Sequence, residues 1–427
     1  NGKTQEVEIL TLEDCLRIGI DNNLSLEGKR KEIQRSKYGV SENRSKLLPQ
    51  INAIAGYSNN FDPPVSVTDG SSYGVPYNIT QTLQHSANAG LEMQMPLFNQ
   101  TLYTSMSIAK VMEEISRLSY GKAREDVILQ ISKMYYLGQV TAEQIMLIKA
   151  NITRLEELRD ITQAFFDNGM SMEVDLKRVN INLENLKVQY DNAQAMMKQQ
   201  LNMLKYIMDY PAEKEIALTP VNTDSITTVA LTGLSENIYE LQLSQSQVQL
   251  AERQKKIIAN GYIPSLSLTG SWRYAAYTDK GYHWFHSGPS NQWFRSYGVG
   301  LTLRIPIFDG LDKTYKIKKA MIDIENKRLA WEDARKNLQT QYLNAVNDLM
   351  NNQRNFKKQK DNYLLAEDVY AVTSDRYREG IASMTEVLQD EMQMSEAQNN
   401  YISAHYNYRV TNLMLLKLTG QIESLVK

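Results

Sequence analysis

The apolar and polar positions of this chain change period several times, and the changes come in the same order twice. Four short segments alternate residue by residue, the pattern of a strand with two unlike faces. In 51–57 the apolar series is Ile51, Ala53, Ala55 and Tyr57, with Asn52, Ile54 and Gly56 between. In 87–95, Ala87, Ala89, Leu91, Met93 and Met95 alternate with Asn88, Gly90, Glu92 and Gln94. In 266–274, Leu266, Leu268, Gly270, Trp272 and Tyr274 alternate with Ser267, Thr269, Ser271 and Arg273. In 297–305, Tyr297, Val299, Leu301, Leu303 and Ile305 alternate with Gly298, Gly300, Thr302 and Arg304. Each run is about the 9–11 residues that cross a bilayer when tilted, which would turn Glu92, Arg273 and Arg304 toward a polar lumen. A soluble antiparallel sheet with one wet face shows the same alternation, so the aromatics decide. Tyr57, Phe61, Trp272, Tyr274, Tyr277, Trp293, Phe294 and Tyr297 gather toward the loop-side ends, as an interfacial girdle requires.

Helical periods fill the rest. No proline interrupts the 70 residues Asn99–Asn168 or the 71 residues Asp309–Glu379. As continuous helix each would be about 100 Å long at 1.5 Å per residue. The second carries Leu338, Tyr342, Ala345, Leu349, Asn352, Phe356, Tyr363, Ala366, Tyr370, Thr373 and Tyr377 at spacings of three, four or seven, continued on the return helix by Met394, Tyr401, Tyr408 and Leu415. The first shows Ile145, Ile148, Ile152, Leu155, Ile161 and Phe165, and the helix before the first strand shows Leu26, Ile33, Val40 and Leu47. One apolar seam per helix is coiled-coil packing. A filament-like coiled coil would share these seams, but it does not account for strands inserted between the helices.

Three landmarks recur at nearly one offset. Leu48-Pro49-Gln50-Ile51 returns as Ile263-Pro264-Ser265-Leu266, Met95-Pro96-Leu97-Phe98 as Ile305-Pro306-Ile307-Phe308, and Asn168-Gly169-Met170-Ser171 as Glu379-Gly380-Ile381-Ala382. The chain is therefore expected to be two tandem structural repeats, each half a protein long. The prolines mark helix–strand boundaries. Asn60–Ser86 and Tyr277–Gln292 are rich in Gly, Ser, Pro and Asn and are expected to be surface loops.

Composition narrows the class. Of 427 residues 42% are apolar, mean hydropathy is −0.45, and no run approaches the roughly 18 apolar residues of a membrane helix. If the chain enters a membrane, it therefore does so by strands. Net charge −2 leaves no footprint for nucleic acid. The first residue is Asn1 rather than Met, as expected where a targeting segment has been removed. Four strands cannot close a barrel, and an open edge cannot sit in lipid, so the chain must oligomerise to insert. Two copies would give eight strands and a filled interior, whereas three would give twelve and a lumen.

Candidate chemistry is sparse, so no enzyme and no cofactor is expected. His283 and His286 lie in an aromatic loop without a partnered carboxylate helix, and His85 and His405 stand alone. Cys15, the single cysteine, sits in an amphipathic start and is expected to be a buried structural thiol. Core or strand packing accounts for the 18 methionines better than a copper-export path, so no metal site is assigned.

At the tips, Phe165-Phe166-Asp167-Asn168-Gly169-Met170 and Asp375-Arg376-Tyr377-Arg378-Glu379-Gly380-Ile381 resemble the aromatic-x-x-Gly-hydrophobic turns of the TolC-like outer membrane efflux proteins, or outer membrane factors. Pro-Leu-Phe at 96–98 and Pro-Ile-Phe-Asp-Gly at 306–310 resemble that family's strand-exit motif, and the doubled element order matches over essentially the whole chain. The resemblance implies an α+β membrane protein: a homotrimer whose four strands per chain complete a 12-stranded outer membrane barrel, continued by a coiled-coil helical tunnel in the periplasm. The segments would be 1–48, an equatorial start and first tunnel helix; 49–97, a strand pair with external loop; 98–208, a long helical hairpin; 209–235, an equatorial linker; 236–262, a tunnel helix; 263–307, the second strand pair; 308–418, the second hairpin; and 419–427, an equatorial end.

The implied function is a passive exit duct for drugs or other small molecules in outer membrane lipid, served by a periplasmic adaptor (a membrane fusion protein) and an inner membrane pump of resistance-nodulation-division or ABC type. Type I protein secretion and metal efflux use the same scaffold, and a structural coiled-coil envelope protein is the more distant alternative. The resemblance also implies adaptor contact at Asn168, Gly169, Met170, Glu379, Gly380 and Ile381, and an iris-like gate. Asp175, six residues after the first tip glycine, matches the family's linking carboxylate, and Tyr377 its tyrosine partner. The family's arginine is Ala382 here, with Arg376 or Arg378 as substitutes. Glu386 matches the constriction carboxylate, while Gln389 replaces the second acid, so three carboxylates would ring the throat instead of six.

Overall fold

A computed structural model describes residues 7–81, 83–221, 231–278 and 293–426. Its elements are β1 (Glu8–Leu10), α1 (Leu12–Asn22), α2 (Leu24–Ser45), β2 (Gln50–Asn59), β3 (Val65–Asp69), β4 (Tyr77–Gln81), β5 (His85–Phe98), α3 (Gln100–Asp167), α4 (Glu173–Met208), β6 (Ile216–Leu218), α5 (Tyr239–Asn260), β7 (Ser265–Thr278), β8 (Trp293–Arg304), α6 (Asp312–Arg378) and α7 (Met384–Leu418). The order helix, strand, strand, long helix, shorter helix occurs twice, with 22, 68 and 36 residues in α2, α3 and α4 against 22, 67 and 35 in α5, α6 and α7.

The chain divides into two compact units. One comprises 34–114 and 246–328 and holds the sheet; the other comprises 1–33, 115–245 and 329–427 and holds the helical hairpins and the β1–β6 pair. The sheet is antiparallel throughout, in the order β2-β5-β7-β8. Its strands are longer than the alternation suggests, 14 residues in β5 and β7, because pairing continues into the loop-side residues. Pro96 lies inside β5 rather than after it, tolerated where the register shifts between Pro96 and Phe98. The segment 60–86 is not all loop: β3 and β4 form a hairpin, pairing Val67 with Ile79. Its five-residue strands between Gly and Pro are too short to stand out as period two.

In the second unit the seams pack as their spacing implies. Leu338, Tyr342, Ala345, Leu349, Tyr370 and Tyr377 of α6 and Met394, Tyr401, Tyr408 and Leu415 of α7 are buried. A separate core gathers Leu10, Cys15, Leu16, Leu26, Ile128, Ile131, Leu204, Met208 and Leu413. There Gly19 lies so close to Ile131 that a Cβ would come within 2.2 Å of its Cδ1. The first helical segment breaks at Asn23, whose amide donates to the Ile207 carbonyl at 2.7 Å while its oxygen accepts from the Leu26 N–H. Cys15 is fully buried, and burial pushes its thiol up to about 12. No described helix is long and apolar enough to cross a membrane.

Candidate functional site

Strand register sorts the sheet into two chemically distinct faces. On one, the rows Ile51–Met93–Gly270–Val299, Ala53–Leu91–Trp272–Tyr297 and Met95–Leu268–Leu301 are apolar. On the other, Asn52–Glu92–Ser271–Gly298 and Gln50–Gln94–Thr269–Gly300 are small or polar. The second face is a groove of about 540 Å³ lined by Asn52, Glu92, Gln94, Thr269, Ser271 and Arg273. Glu92 and Arg273 sit diagonally on it and form an ion pair. Gly90 makes this possible, since a Cβ there would lie 2.8 Å from the Arg273 Cα. Arg304 shares the face but stands at its far end, opposite Ser265, and does not join the pair.

The aromatic girdle is less uniform than expected. Tyr57, Trp272, Tyr274, Trp293 and Tyr297 fall on the apolar face, while Tyr277 and Phe294 fall on the polar one because neighbouring residues alternate. Trp272 and Tyr274 meet edge to face at 5.3 Å. His85 is not alone, since its Nδ1 lies 2.9 Å from the Tyr57 hydroxyl. His283 and His286 lie outside the described residues.

The helical tips are built twice from one device. Gly169 and Gly380 take φ of 73° and 76°. Gly169 N–H donates to the Phe166 carbonyl and Met170 N–H to Phe165; Gly380 and Ile381 do the same to Tyr377 and Arg376. This double bond pattern ends a helix through a left-handed residue, where glycine carries no steric cost. Asn168, Gly169, Met170, Glu379, Gly380 and Ile381 are all exposed. Helix α7 restarts with a capping box: Ser383 N–H donates to the Glu386 carboxylate at 3.1 Å, and Glu386 N–H returns to the Ser383 hydroxyl. Glu386 and Gln389 are exposed on the first turns of α7.

Asp175 and Tyr377 line one pocket at the tip, yet each has another partner. Tyr377 is buried, its hydroxyl 3.2 Å from that of Thr162 and its ring 5.6 Å from Phe165. Asp175 accepts from Arg178 at 3.3 Å, and Arg178 reaches Thr385 on α7 as well. The arginine beside Asp175 is thus Arg178, one helical turn along α4. Arg378 bridges Asp375 and Glu157 instead. Thr162 escapes a reading of the sequence because its partner lies on another helix, whereas Arg178 stands three residues from Asp175 on α4 itself, a spacing the sequence does display. Among the described residues no group of three or more His, Cys, Asp or Glu could hold a metal ion.

Comparison with known proteins decides the family. The sequence profile of the outer membrane efflux proteins matches residues 18–208 and residues 231–421. The chain belongs to the outer membrane efflux protein family. It is 21% identical to the outer membrane protein TolC of Vibrio cholerae over 90% of this chain and 84% of that one. The solved CusC channel superposes with a TM-score of 0.80 at 15% identity, covering 98% of this chain and 94% of that one. The open-state MtrE channel of Neisseria gonorrhoeae gives 0.76 at 18% identity, covering 98% and 93%. As an outer membrane efflux protein the chain is a channel of the cell outer membrane, and not an enzyme.

Proposed function

We propose that three copies close a 12-stranded barrel and form the exit duct of a tripartite efflux system, passing small molecules from a periplasmic adaptor and an inner membrane pump to the exterior. The observation that carries this reading is the sheet: one face apolar, the other polar with an ion pair, and β2 and β8 at its two edges. Unpaired strand edges are not tolerated in hydrocarbon, so each β8 must meet the β2 of a neighbouring copy. Twelve strands leave a lumen, and eight do not. Helices α4 and α6 supply further contact surface. Val174, Ile181 and Val188 on α4, and Leu329, Leu343, Met350 and Leu364 on α6, are exposed apolar residues on seven-residue registers. Such stripes are seams awaiting a partner helix.

In this reading Glu92, Arg273 and Arg304 line the lumen, and Asp175, Tyr377, Glu386 and Gln389 form the periplasmic gate, with Arg178 and Thr162 as their partners within one chain. The glycine tips, where Ile381, Met170 and Met172 are 63–72% exposed, receive the adaptor. The test joins mass and conductance. Purified protein should run as a trimer of about three times 48.9 kDa beyond its detergent shell and conduct ions in planar bilayers. A monomer, or a trimer that never conducts, would overturn the reading.

A further inference from the structure

Beneath its apolar seam, α7 carries a second seven-residue pattern. Glu391, Gln398, His405 and Asn412 are each buried, none more than 6% exposed. Polar groups at such positions specify helix register and are tolerated where partners satisfy them. Asn151 of α3 donates to Gln398 at 2.7 Å and receives a bond back at 3.4 Å. Arg409 Nε donates to His405 Nε2 at 3.0 Å, which assigns the ring proton to Nδ1, facing the Glu143 carboxylate at 3.5 Å. Tyr401 donates to that same carboxylate at 3.0 Å.

Asn412 donates to the Tyr408 carbonyl at 3.1 Å, although its Oδ1, like the His405 Nδ1, has no hydrogen-bond partner among the described residues. Glu391 differs from these in the apolar layer around it. Helices α3 and α7 run antiparallel, and one heptad from the Asn151–Gln398 pair toward the tip brings Leu158 level with Glu391. Its Oε1 has no hydrogen-bond partner among the described residues. Val387, Leu388 and Met394 flank it on α7, and Val179, Leu183 and Leu186 of α4 join the same core. From α6 it faces Tyr370, whose hydroxyl burial and the Glu391 charge push up to about 12. The nearby cations are engaged elsewhere: Arg154 of α3 with Glu367, Arg378 of α6 with Asp375 and Glu157, and Arg178 of α4 with Asp175.

We propose that Glu391 is a proton-operated latch of the tip bundle: protonated, it is held in the apolar layer and α7 stays packed; ionised, it drives that layer open. Burial pushes its carboxyl from 4.5 up to about 7, which fixes the sign. The packed state holds the proton more tightly than the opened one, so its stability falls as pH rises from about 4.5 to about 7 and then levels off. The effect on transport rests on the gate reading above; the latch itself does not.

Hydrogen exchange of peptides spanning 384–395, corrected for intrinsic rates, tests it in the detergent-solubilised protein. Between pH 5.5 and pH 8 the population of the opened tip should rise about 25-fold, taking the carboxyl from about 7 when packed to 4.5 when opened. Glu391→Gln should abolish that rise, and Glu391→Leu, set against Leu158, should abolish it with greater protection. Glu125→Gln is the control, because Glu125 is a second carboxyl that burial pushes up to about 7, in a different part of the unit. The response should survive it. A response that persists in Glu391→Gln, or is absent from the wild type, overturns the latch. Bilayer conductance of the same proteins separates the two ideas: a tip response with unchanged conductance keeps the latch and refutes the gate.

Discussion

Arginine at Leu301 is the most direct probe of the sheet's apolar face. On β8 that face reads Arg295, Tyr297, Val299, Leu301, Leu303, and then Ile305 just beyond the strand. The Arg295 guanidinium lies 5.9 Å from the Tyr297 ring, an aromatic-cation pair suited to the headgroup boundary. From Tyr297 to Ile305 is eight residue steps, which at about 3.4 Å per residue and a tilt of about 40° span about 21 Å. That approaches the roughly 25 Å apolar band of an outer membrane barrel, and Leu301 is its midpoint. Leu301 is 66% exposed in the single chain and pairs with Leu268. Leu301→Arg should therefore cost about 2–4 kcal/mol of folding free energy per chain. Thr302→Arg, one residue on and opposite Ser267 on the polar face, should cost little. Urea titration of folding into lipid vesicles reads both. Equal tolerance of the two arginines would refute the assignment of the faces.

Valine at Gly169 or Gly380 must adopt φ near +75° in open space, so the strain of about 1–2 kcal/mol is local. Trimers should persist in membranes while export is lost; export by both variants would move the adaptor contact elsewhere. Asp175→Ala combined with Tyr377→Phe should raise bilayer conductance, and Glu386→Gln should lower cation selectivity, measured as reversal potential in a salt gradient. Unchanged values in both would place the constriction at other residues. Cys15 should resist maleimide at neutral pH in the folded protein, because burial keeps its thiol protonated up to about 12. Labelling at the rate of the urea-unfolded chain would contradict that burial.

Much of the architecture was legible because it is written in local periods. Alternation marked β2, β5, β7 and β8, heptads marked α6 and α7, and a glycine after an aromatic turn marked each tip, since each signal depends only on neighbours within one or two turns of backbone. The resemblance proposed Asp175, Tyr377 and Glu386 by counting from those glycines. The sequence could not show which groups would meet across elements. Alternation leaves strand order open, so only the register joins Glu92 to Arg273 and leaves Arg304 apart. The reach of Arg178 to Thr385, and Thr162 beside Tyr377, depend on how four helices lie at the tip, whereas Arg178 beside Asp175 is a spacing of three on one helix. Glu391, Gln398, His405 and Asn412 stand in plain view at steps of seven, yet a polar residue on a helix reads as solvated until packing buries it. Chain order determined the elements; the free energy of burying them against one another decided their partners.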